Sequence, residues 1–375
     1  MKTAGILTTY FASNFGAMLQ PFALKRTLEQ MGLEVEILRY KQPAIWKHYN
    51  PFTWRRLAGC KSKNPLKFMS NLFYVYPLMC MKELKFRSFA KKFLNRQGGF
   101  DATWPKDKDY YFIGSDQLWR PQNTGGNFDD VYFGYFESKP NAKKISYAVS
   151  GEAIEYTEEN IVYLRNALHN FNSLSVREEK LAADLKRVTG VEKIEVVADP
   201  TLLCDPSVFA ELPSKHPCPG KKFVLFYQIR RSHAFLDKIY EYSRENGVEL
   251  VILSSYVERQ FSIFALTHKH VHYYPSACED IFLGAMKNAE AVFTPSFHGN
   301  VFAILNHRNI FDVILDDGHD TRAKELLSSL DIEGRFLRIG DPIVETPINW
   351  SKVEERLEAK RCNAMDFIKR ALTQK

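Results

Sequence analysis

The chain has 375 residues, 45% apolar and 25% charged, with a net charge of +7. That length allows two or three domains with a sizeable core, and the composition is that of a folded globular protein, not a disordered or fibrous one. No apolar run reaches the roughly 18 residues that span a bilayer; the longest candidate, 68–81, is broken by Ser70, Asn71 and Pro77.

The N-terminus, Met1-Lys2-Thr3-Ala4-Gly5-Ile6-Leu7, turns polar too soon for a signal peptide. Cysteines 60, 80, 204, 218, 278 and 362 form no Cys-x-x-Cys pair. The expectation is a cytoplasmic protein with reduced thiols and neither a disulfide frame nor a zinc site. The charge is uneven. Residues 41–100 hold 13 Lys or Arg and one acid, Glu83, leaving 38 basic and 43 acidic residues elsewhere. The same segment carries Trp46, Tyr49, Phe52, Trp54, Phe73, Tyr74 and Tyr76. Basic side chains mixed with aromatics suit an anionic membrane surface, where rings settle at headgroup level. The competing reading is an insertion whose aromatics pack on their own domain while water solvates the charges. A nucleic acid is not expected as a partner.

In chain order, residues 3–8 read as a strand and 9–16 as a polar turn. Residues 17–31 read as a helix stopped by Gly32, with Pro21 acceptable only in its first turn. A strand at 33–39 completes a βαβ opening whose turn lies on the ligand side of the sheet. The insertion comes next, helical from about 64 to 96. Residues 110–113 form a strand ended by Gly114-Ser115-Asp116-Gln117-Leu118-Trp119. Its Asp, Gln and Trp suit a sugar through hydrogen bonds and stacking; the alternative is an Asx turn with a core tryptophan. Strands at 144–149 and 173–176 come after it, the second ending at Arg177, and a helix at 180–188 and a strand at 194–198 lead to Asp199-Pro200-Thr201. Arginine suits planar carboxylates and phosphates, and its alternative here is pairing with Glu178 or Glu179.

The proline-rich stretch 205–221 reads as a linker. Strands at 223–227, 249–253 and 309–315 and helices at 234–246 and 321–330 build a second α/β unit. Ser276 to Glu279 reads as a capping box opening a helix to about 288. A charged amphipathic helix occupies about 348–372. The division is therefore an N-terminal α/β domain over 1–204 with the insertion 41–100, a C-terminal α/β domain over 205–348, and a helix over 349–375 packing back on the first domain. Two such units face each other across a cleft.

Residues 291–300 are the sharpest local signal: an apolar strand, a break at Thr294-Pro295-Ser296, then Phe297-His298-Gly299-Asn300 opening an apolar segment. In an open α/β sheet, ligands bind at the turn after a strand. Unpaired N–H groups and the helix dipole there favour an anion. His298 would titrate near neutrality in that turn, and Gly299 would let a ligand approach the backbone. The alternative is a capped turn with a satisfied histidine. No Gly-x-x-x-x-Gly-Lys-Ser/Thr, Gly-x-Gly-x-x-Gly or Gly-x-Ser-x-Gly occurs, which argues against an ATPase or a standard nicotinamide dehydrogenase and leaves no hydrolase elbow.

Five motifs in order resemble the polysaccharide pyruvyl transferase family along about residues 4–335. They are Gly5-Ile6-Leu7 with Asn14-Phe15-Gly16-Ala17-Met18-Leu19-Gln20, the 114–119 segment, Ser175-Val176-Arg177-Glu178, Asp199-Pro200-Thr201-Leu202-Leu203, and Ser296-Phe297-His298-Gly299. The resemblance implies an α/β fold of two facing Rossmann-like domains, GT-B-like, with a C-terminal helix. It implies transfer of a pyruvyl group from phosphoenolpyruvate onto two hydroxyls of a sugar, in a cell-surface polysaccharide or its lipid-linked precursor, giving a cyclic ketal. The first domain is then the acceptor side and the second the donor side. Where the family often has Asn after the Trp of the second motif, this chain has Arg120.

Such a reaction needs cations for a carboxylate and a phosphate, a general acid and a general base. On this reading His298 is the acid/base and Arg177 takes the donor's carboxylate or phosphate. Ser296 and the N–H groups of Gly299 and Asn300 hold an anionic group, with Arg230, Arg231 and Arg322 as further donor contacts. Asn14, Gly16, Ser115, Asp116, Gln117 and Trp119 face the acceptor sugar. No metal or other cofactor is called for. The insertion suggests a diphosphate-linked lipid acceptor met at the inner membrane face. The alternatives are a GT-B-like glycosyltransferase using a nucleotide sugar, with Asp316, Asp317 or Asp320 on the ribose, and a non-catalytic glycan-binding protein on the same fold.

Overall fold

The computed structural model describes residues 1–59, 61–94 and 106–373. Cys60 and the insertion beyond residue 94 lie outside the described residues. Two sheets organise the rest. The first contains β1 (Thr3–Leu7), β2 (Glu34–Ile37), β3 (Tyr110–Ile113), β4 (Lys143–Val149), β5 (Ser173–Val176) and β6 (Glu195–Val196), in the order β2-β1-β3-β4-β5-β6. The second contains β7 (Phe223–Gln228), β8 (Glu249–Ser254), β9 (Val271–Tyr273), β10 (Ala291–Thr294), β11 (Asn309–Val313) and β12 (Phe336–Leu337), in the order β12-β11-β10-β7-β8-β9.

The ladders of both sheets are parallel, with Ala4 opposite Tyr110 and Ala291 opposite Val224 at their centres. Helices on both faces bury the central strands, which is why β3, β7 and β8 are apolar runs without alternation. Strand order reverses between β1 and β3 in one sheet and between β7 and β10 in the other. A crevice opens at such a reversal, outside the carboxyl ends of the strands.

Several local expectations change. The helix Phe15–Gln30 starts two residues before its expected position, because Asn14 caps it by accepting from the Ala17 N–H at 3.3 Å. Pro21 therefore falls in the second turn, inside the helix, where it removes one backbone bond. The capping box at Ser276 does not form. The helix Glu279–Asn288 begins after Cys278 without a side-chain cap, and Glu279 is buried instead. Helix Arg259–Thr267 and the short strands β9 and β12 were not expected from the sequence. The proline-rich linker packs tightly. The Lys215 N–H donates to the Asp280 carbonyl at 2.9 Å, and a Cβ on Gly284 would stand 1.9 Å from the Lys215 carbonyl.

The insertion forms helices Pro43–Tyr49 and Trp54–Ala58, then a nearly continuous run from Pro65 to Phe93 interrupted by one π turn at Asn71–Val75. Phe86, Phe89 and Ala90 enter the core, while Trp54 at 83% and Phe73 at 66% stay exposed. Its aromatics are thus divided between the two readings. No helix among the described residues is long and apolar enough to cross a membrane.

The last helix, Trp350–Thr373, buries Val353, Leu357, Ala364, Ile368 and Ala371 along one stripe. It starts on the second domain, where Trp350 stacks on His307 at 4.7 Å. It ends on the first, where Arg361 Nε donates to the Leu202 carbonyl and Asn363 Nδ2 to the Val196 carbonyl, both at 3.0 Å.

Candidate active site

Both order reversals open onto one cavity of about 480 Å³. Thr9 after β1 and Asp116 and Gln117 after β3 reach it from the first sheet; Arg230 after β7 and Ser296 and His298 after β10 reach it from the second. Arginines give the wall its fixed charge, Arg120, Arg230 and Arg322 against Asp116, with the rings of His48, His298 and His319 between them. Fixed positive charge in a partly enclosed space attracts anions more strongly than it would in water.

The backbone is under strain where the first domain meets the cavity. Asp116 sits at φ +78, a left-handed conformation in which a non-glycine residue is strained by about 1 kcal/mol or more. Its carboxylate accepts from the Gln117 N–H at 2.9 Å and from Thr9 Oγ1 at 2.8 Å. Gly114 takes φ +130, and a Cβ there would lie 2.0 Å from the Tyr147 carbonyl. Only glycine lets β3 turn so closely against β4.

Behind the cavity stands a buried carboxylate. Asp199, 1% exposed, accepts from Arg177 Nη1 at 2.8 Å and from the Thr201 N–H and hydroxyl at 3.0 and 2.6 Å. Ser115 Oγ lies 2.8 Å from its other side. His298 Nε2 is 3.6 Å from Asp199 Oδ1, an ion-pair separation beyond a hydrogen bond. Burial works to raise the Asp199 pKa, but His298, Arg177 and Thr201 hold it well below the usual carboxylate range. Burial likewise works against the Arg177 charge, and Glu178 and Asp199 more than offset it, so the guanidinium stays firmly protonated. Burial and then the nearby Arg177 pull the Arg322 pKa below its ordinary value.

His298 is the second residue of the helix Phe297–Leu305, and its ring lies against Gly16 of the other domain. A Cβ on Gly16 would stand 2.1 Å from His298 Nδ1. Glycine at that helix start is therefore what admits the imidazole.

A family model of polysaccharide pyruvyl transferases matches residues 14–311, which hold all of these side chains except Thr9, His319 and Arg322. The chain belongs to the polysaccharide pyruvyl transferase family. Two parallel-sheet α/β domains and a helical C-terminus give this pyruvyl transferase family member a GT-B-like fold. Solved structures resemble it over nearly its whole length at low identity. S. aureus MnaA with UDP is 12% identical at a TM-score of 0.48, covering 97% of this chain and 91% of that one. The UDP-GlcNAc 2-epimerase of Methanocaldococcus jannaschii is 15% identical at 0.45, covering 96% and 93%. MurG of Acinetobacter baumannii is 13% identical at 0.39, covering 98% of each chain. No curated protein matches the sequence significantly.

Of the expected donor contacts, Ser296, Arg230 and Arg322 line the cavity with His298. Arg230 is paired with Asp317 and with Asp320 Oδ1 at 2.6 Å. Arg177 does not line the cavity; it lies behind, committed to Asp199 and Glu178 and stacked 4.2 Å over Phe297. The N–H groups of Gly299 and Asn300 are not free for an anion. Ser296 Oγ takes the first at 3.2 Å and the Ser296 carbonyl the second at 2.9 Å. The helix start instead leaves the N–H groups of Phe297 and His298 without an intrahelical acceptor. Asn300 is fully buried, its Nδ2 donating to Asp312 at 2.7 Å. Arg231 points elsewhere, over Tyr256 and beside Glu258.

Of the expected acceptor contacts, Asn14, Asp116 and Gln117 line the cavity. Trp119 does not. It is fully buried, stacked 4.9 Å from Phe133, with Nε1 donating to the Tyr132 carbonyl at 3.0 Å. Ser115 is buried on Asp199, and Gly16 lies beneath His298, so neither faces a sugar.

Sequence reasoning assigned no role to Asp199, Gln20, Arg120, Glu152 or His319. Gln20 Nε2 donates to Thr8 Oγ1 at 2.7 Å, and its Oε1 accepts from the Ser115 N–H at 3.3 Å, tying the first helix to the strand ends. Glu152 accepts from Gln117 Nε2 at 2.9 Å and lies 3.5 Å from Arg322 Nε. Asp199 and Gln20 sit inside recognised motifs; Glu152 and His319 carry no local signal. Among the described residues no cluster of His, Cys, Asp and Glu is arranged to hold a metal.

Proposed function

We propose that the protein transfers the pyruvyl group of phosphoenolpyruvate to two hydroxyls of a cell-surface polysaccharide sugar or its lipid-linked precursor, forming a cyclic ketal. The observation that carries this reading is His298, set where both order reversals meet and backed by an ionised Asp199. Family membership supports the reaction class, and the basic wall suits a donor carrying both a carboxylate and a phosphate.

The chemistry is dictated by the charges. A proton adds to C3 of the donor and C2 becomes electrophilic. One sugar hydroxyl bonds to C2, the C2–O bond to phosphate breaks, and the second hydroxyl closes the ketal at C2. Of the two hydroxyl protons released, one balances the proton gained at C3 and the other leaves on inorganic phosphate. His298 is the group that moves protons, and Asp199 opposes the imidazolium charge that develops when it takes one up. Arg322, with the Phe297 and His298 N–H groups, faces the donor's anionic ends, while Arg230 stands at the same wall with its charge shared by Asp317 and Asp320. Arg177 is a positioning residue that holds Asp199. Asn14, Asp116 and Gln117 meet the acceptor. The exposed Trp54 and Phe73, with Lys61, Lys63 and Lys67 nearby in sequence, support peripheral attachment to an anionic membrane face.

The test is turnover with phosphoenolpyruvate and a panel of sugar acceptors, reading phosphate release and the ketal methyl signal by NMR. His298→Ala should abolish both while the chain stays folded; near-full activity in that variant would sink the assignment. Thermal-shift assays separate the competing readings, since a nucleotide sugar or glycans alone would stabilise the chain if either alternative held. Against the nucleotide-sugar reading, Asp317 and Asp320 are already bound to Arg230.

A further inference from the structure

A second cavity, of about 820 Å³, lies between the insertion and the second domain. Lys47, His48, Arg56 and Lys67 line it from the insertion, and Arg231 and Arg259 from the second domain. Among the described residues the wall has one acid, Glu258, placed 3.4 Å from Arg231. Lys47, Lys67 and Arg259 have no acidic partner among the described residues. Gathering like charges around a concave surface is unfavourable unless an anion is to occupy it. The field is felt locally: burial lowers the His48 pKa, and Arg56 and Arg231 lower it further.

This cavity adjoins the first. Ala44 and His48 line both, so one elongated ligand can occupy the two together. The neutral polar groups of the acceptor side, Asn14 and Gln117, lie in the first cavity, and the unpartnered cations lie in the second. Val75, Tyr76 and Met79 form an apolar stretch of the second cavity's wall and belong to the helical run that exposes Met69 and Phe73.

We infer that the second cavity is a diphosphate subsite, holding the two phosphates that join the acceptor sugar to its carrier. Charge-assisted bonds from Lys67, Arg231 and Arg259 would grip the phosphate oxygens. The apolar side would take the rest of the carrier beyond the phosphates, whether a polyprenyl chain or a nucleoside. The inference rests on the reading that the sugar occupies the first cavity.

Isothermal titration of the full chain with inorganic pyrophosphate tests it. Pyrophosphate should bind more tightly than orthophosphate, and Lys67→Ala/Arg259→Ala should weaken it about tenfold or more. Phosphoenolpyruvate binding should not change. Both side chains are exposed, and Lys67→Glu alone provides a second variant with the same expected direction. Competition by farnesyl diphosphate or by UDP identifies the carrier, and preferential displacement by either supports the subsite. Wild-type pyrophosphate affinity in the variants, equal affinity for orthophosphate, or no competition by either carrier would overturn it. If pyrophosphate behaves as expected but phosphoenolpyruvate does not bind, the pyruvyl-transfer reading fails and the subsite stands.

Discussion

Gly16→Ala places one methyl group between the two domains. Its Cβ would stand 2.1 Å from His298 Nδ1, 2.3 Å from Cγ and 2.8 Å from Cβ. Ordinary contact begins at 3.4 Å, so the imidazole must retreat by about 1.3 Å, the difference between 3.4 and 2.1 Å. The His298 side chain is only 9% exposed, with Asp199 already 3.6 Å from Nε2. Either the ring leaves its rotamer or the helices Phe15–Gln30 and Phe297–Leu305 part. Overpacking of this kind destabilises by about 1–3 kcal/mol, and a misplacement near 1 Å lowers a rate by about a hundredfold. Ketal formation should therefore fall about a hundredfold, measured by phosphate release and NMR, with urea unfolding showing the stability loss. In a His298→Ala background the ring atoms are gone and only the 2.8 Å contact remains, so most of the stability loss should disappear. Near wild-type turnover in Gly16→Ala, or a stability loss that simply adds to that of His298→Ala, would refute the geometry.

The buried groups set three further outcomes. Asp199→Asn strips the charge that balances Arg177 and should destabilise by about 3–5 kcal/mol. Because the Asp199 pKa is depressed by folding, its contribution is present above the unfolded value near 4 and is lost as pH falls below it. The variant should thus lose part of the wild type's acid-side decline in urea unfolding; an identical decline counts against the assignment. Trp119→Phe removes the bond to the Tyr132 carbonyl and should destabilise by about 1–3 kcal/mol while leaving the acceptor KM unchanged. A raised KM at full stability would restore a sugar-stacking role. Glu279, buried, has its pKa pushed up to about 8. Protonation is favoured in the folded state, so its contribution to stability is greatest below the unfolded pKa and declines as pH rises toward 8. Lys82, pushed down to about 7 by burial, acts in the opposite sense only above that pH. Urea unfolding at about pH 5 and pH 7 should show a decline that Glu279→Gln removes, and a decline that persists in the variant would contradict it.

The strand ends were legible because a parallel, doubly covered strand is an apolar run, and the first polar residues after it announce its carboxyl end. Ile113 before Gly114, Val176 before Arg177 and Thr294 before Ser296 all read this way. The central strands of both sheets and part of the cleft wall came from that one signal, while the short edge strands β9 and β12 and the wall residues Arg120 and His319 did not. Partner choice was harder. Arg177 looked like a ligand contact because no local rule says that its guanidinium turns to a carboxylate 22 positions on. Trp119 looked like a sugar platform because burial of an aromatic after a strand depends on Phe133 and Tyr132, which lie beyond the motif. One error had a readable remedy: serine at an N-cap takes the amide three residues on, so Ser296 already claimed Gly299.

The contacts that no local pattern reveals are those that cross between the domains, and they decide the site. His298 belongs to the second domain, while Gly16 beneath it and Asp199 beside it belong to the first. A relative shift of the domains by an ångström or so would therefore take the imidazole off its carboxylate. What prevents that shift is apolar packing at the same seam. Phe15, next to Gly16, stacks on Phe282 at 4.6 Å and packs 5.5 Å from Tyr227. Interdomain surfaces that are small and polar slide easily; one closed by buried aromatic rings does not. The glycine that admits the histidine and the phenylalanine that locks the domains are thus consecutive residues at one helix start, and the chemistry proposed for His298 depends on both.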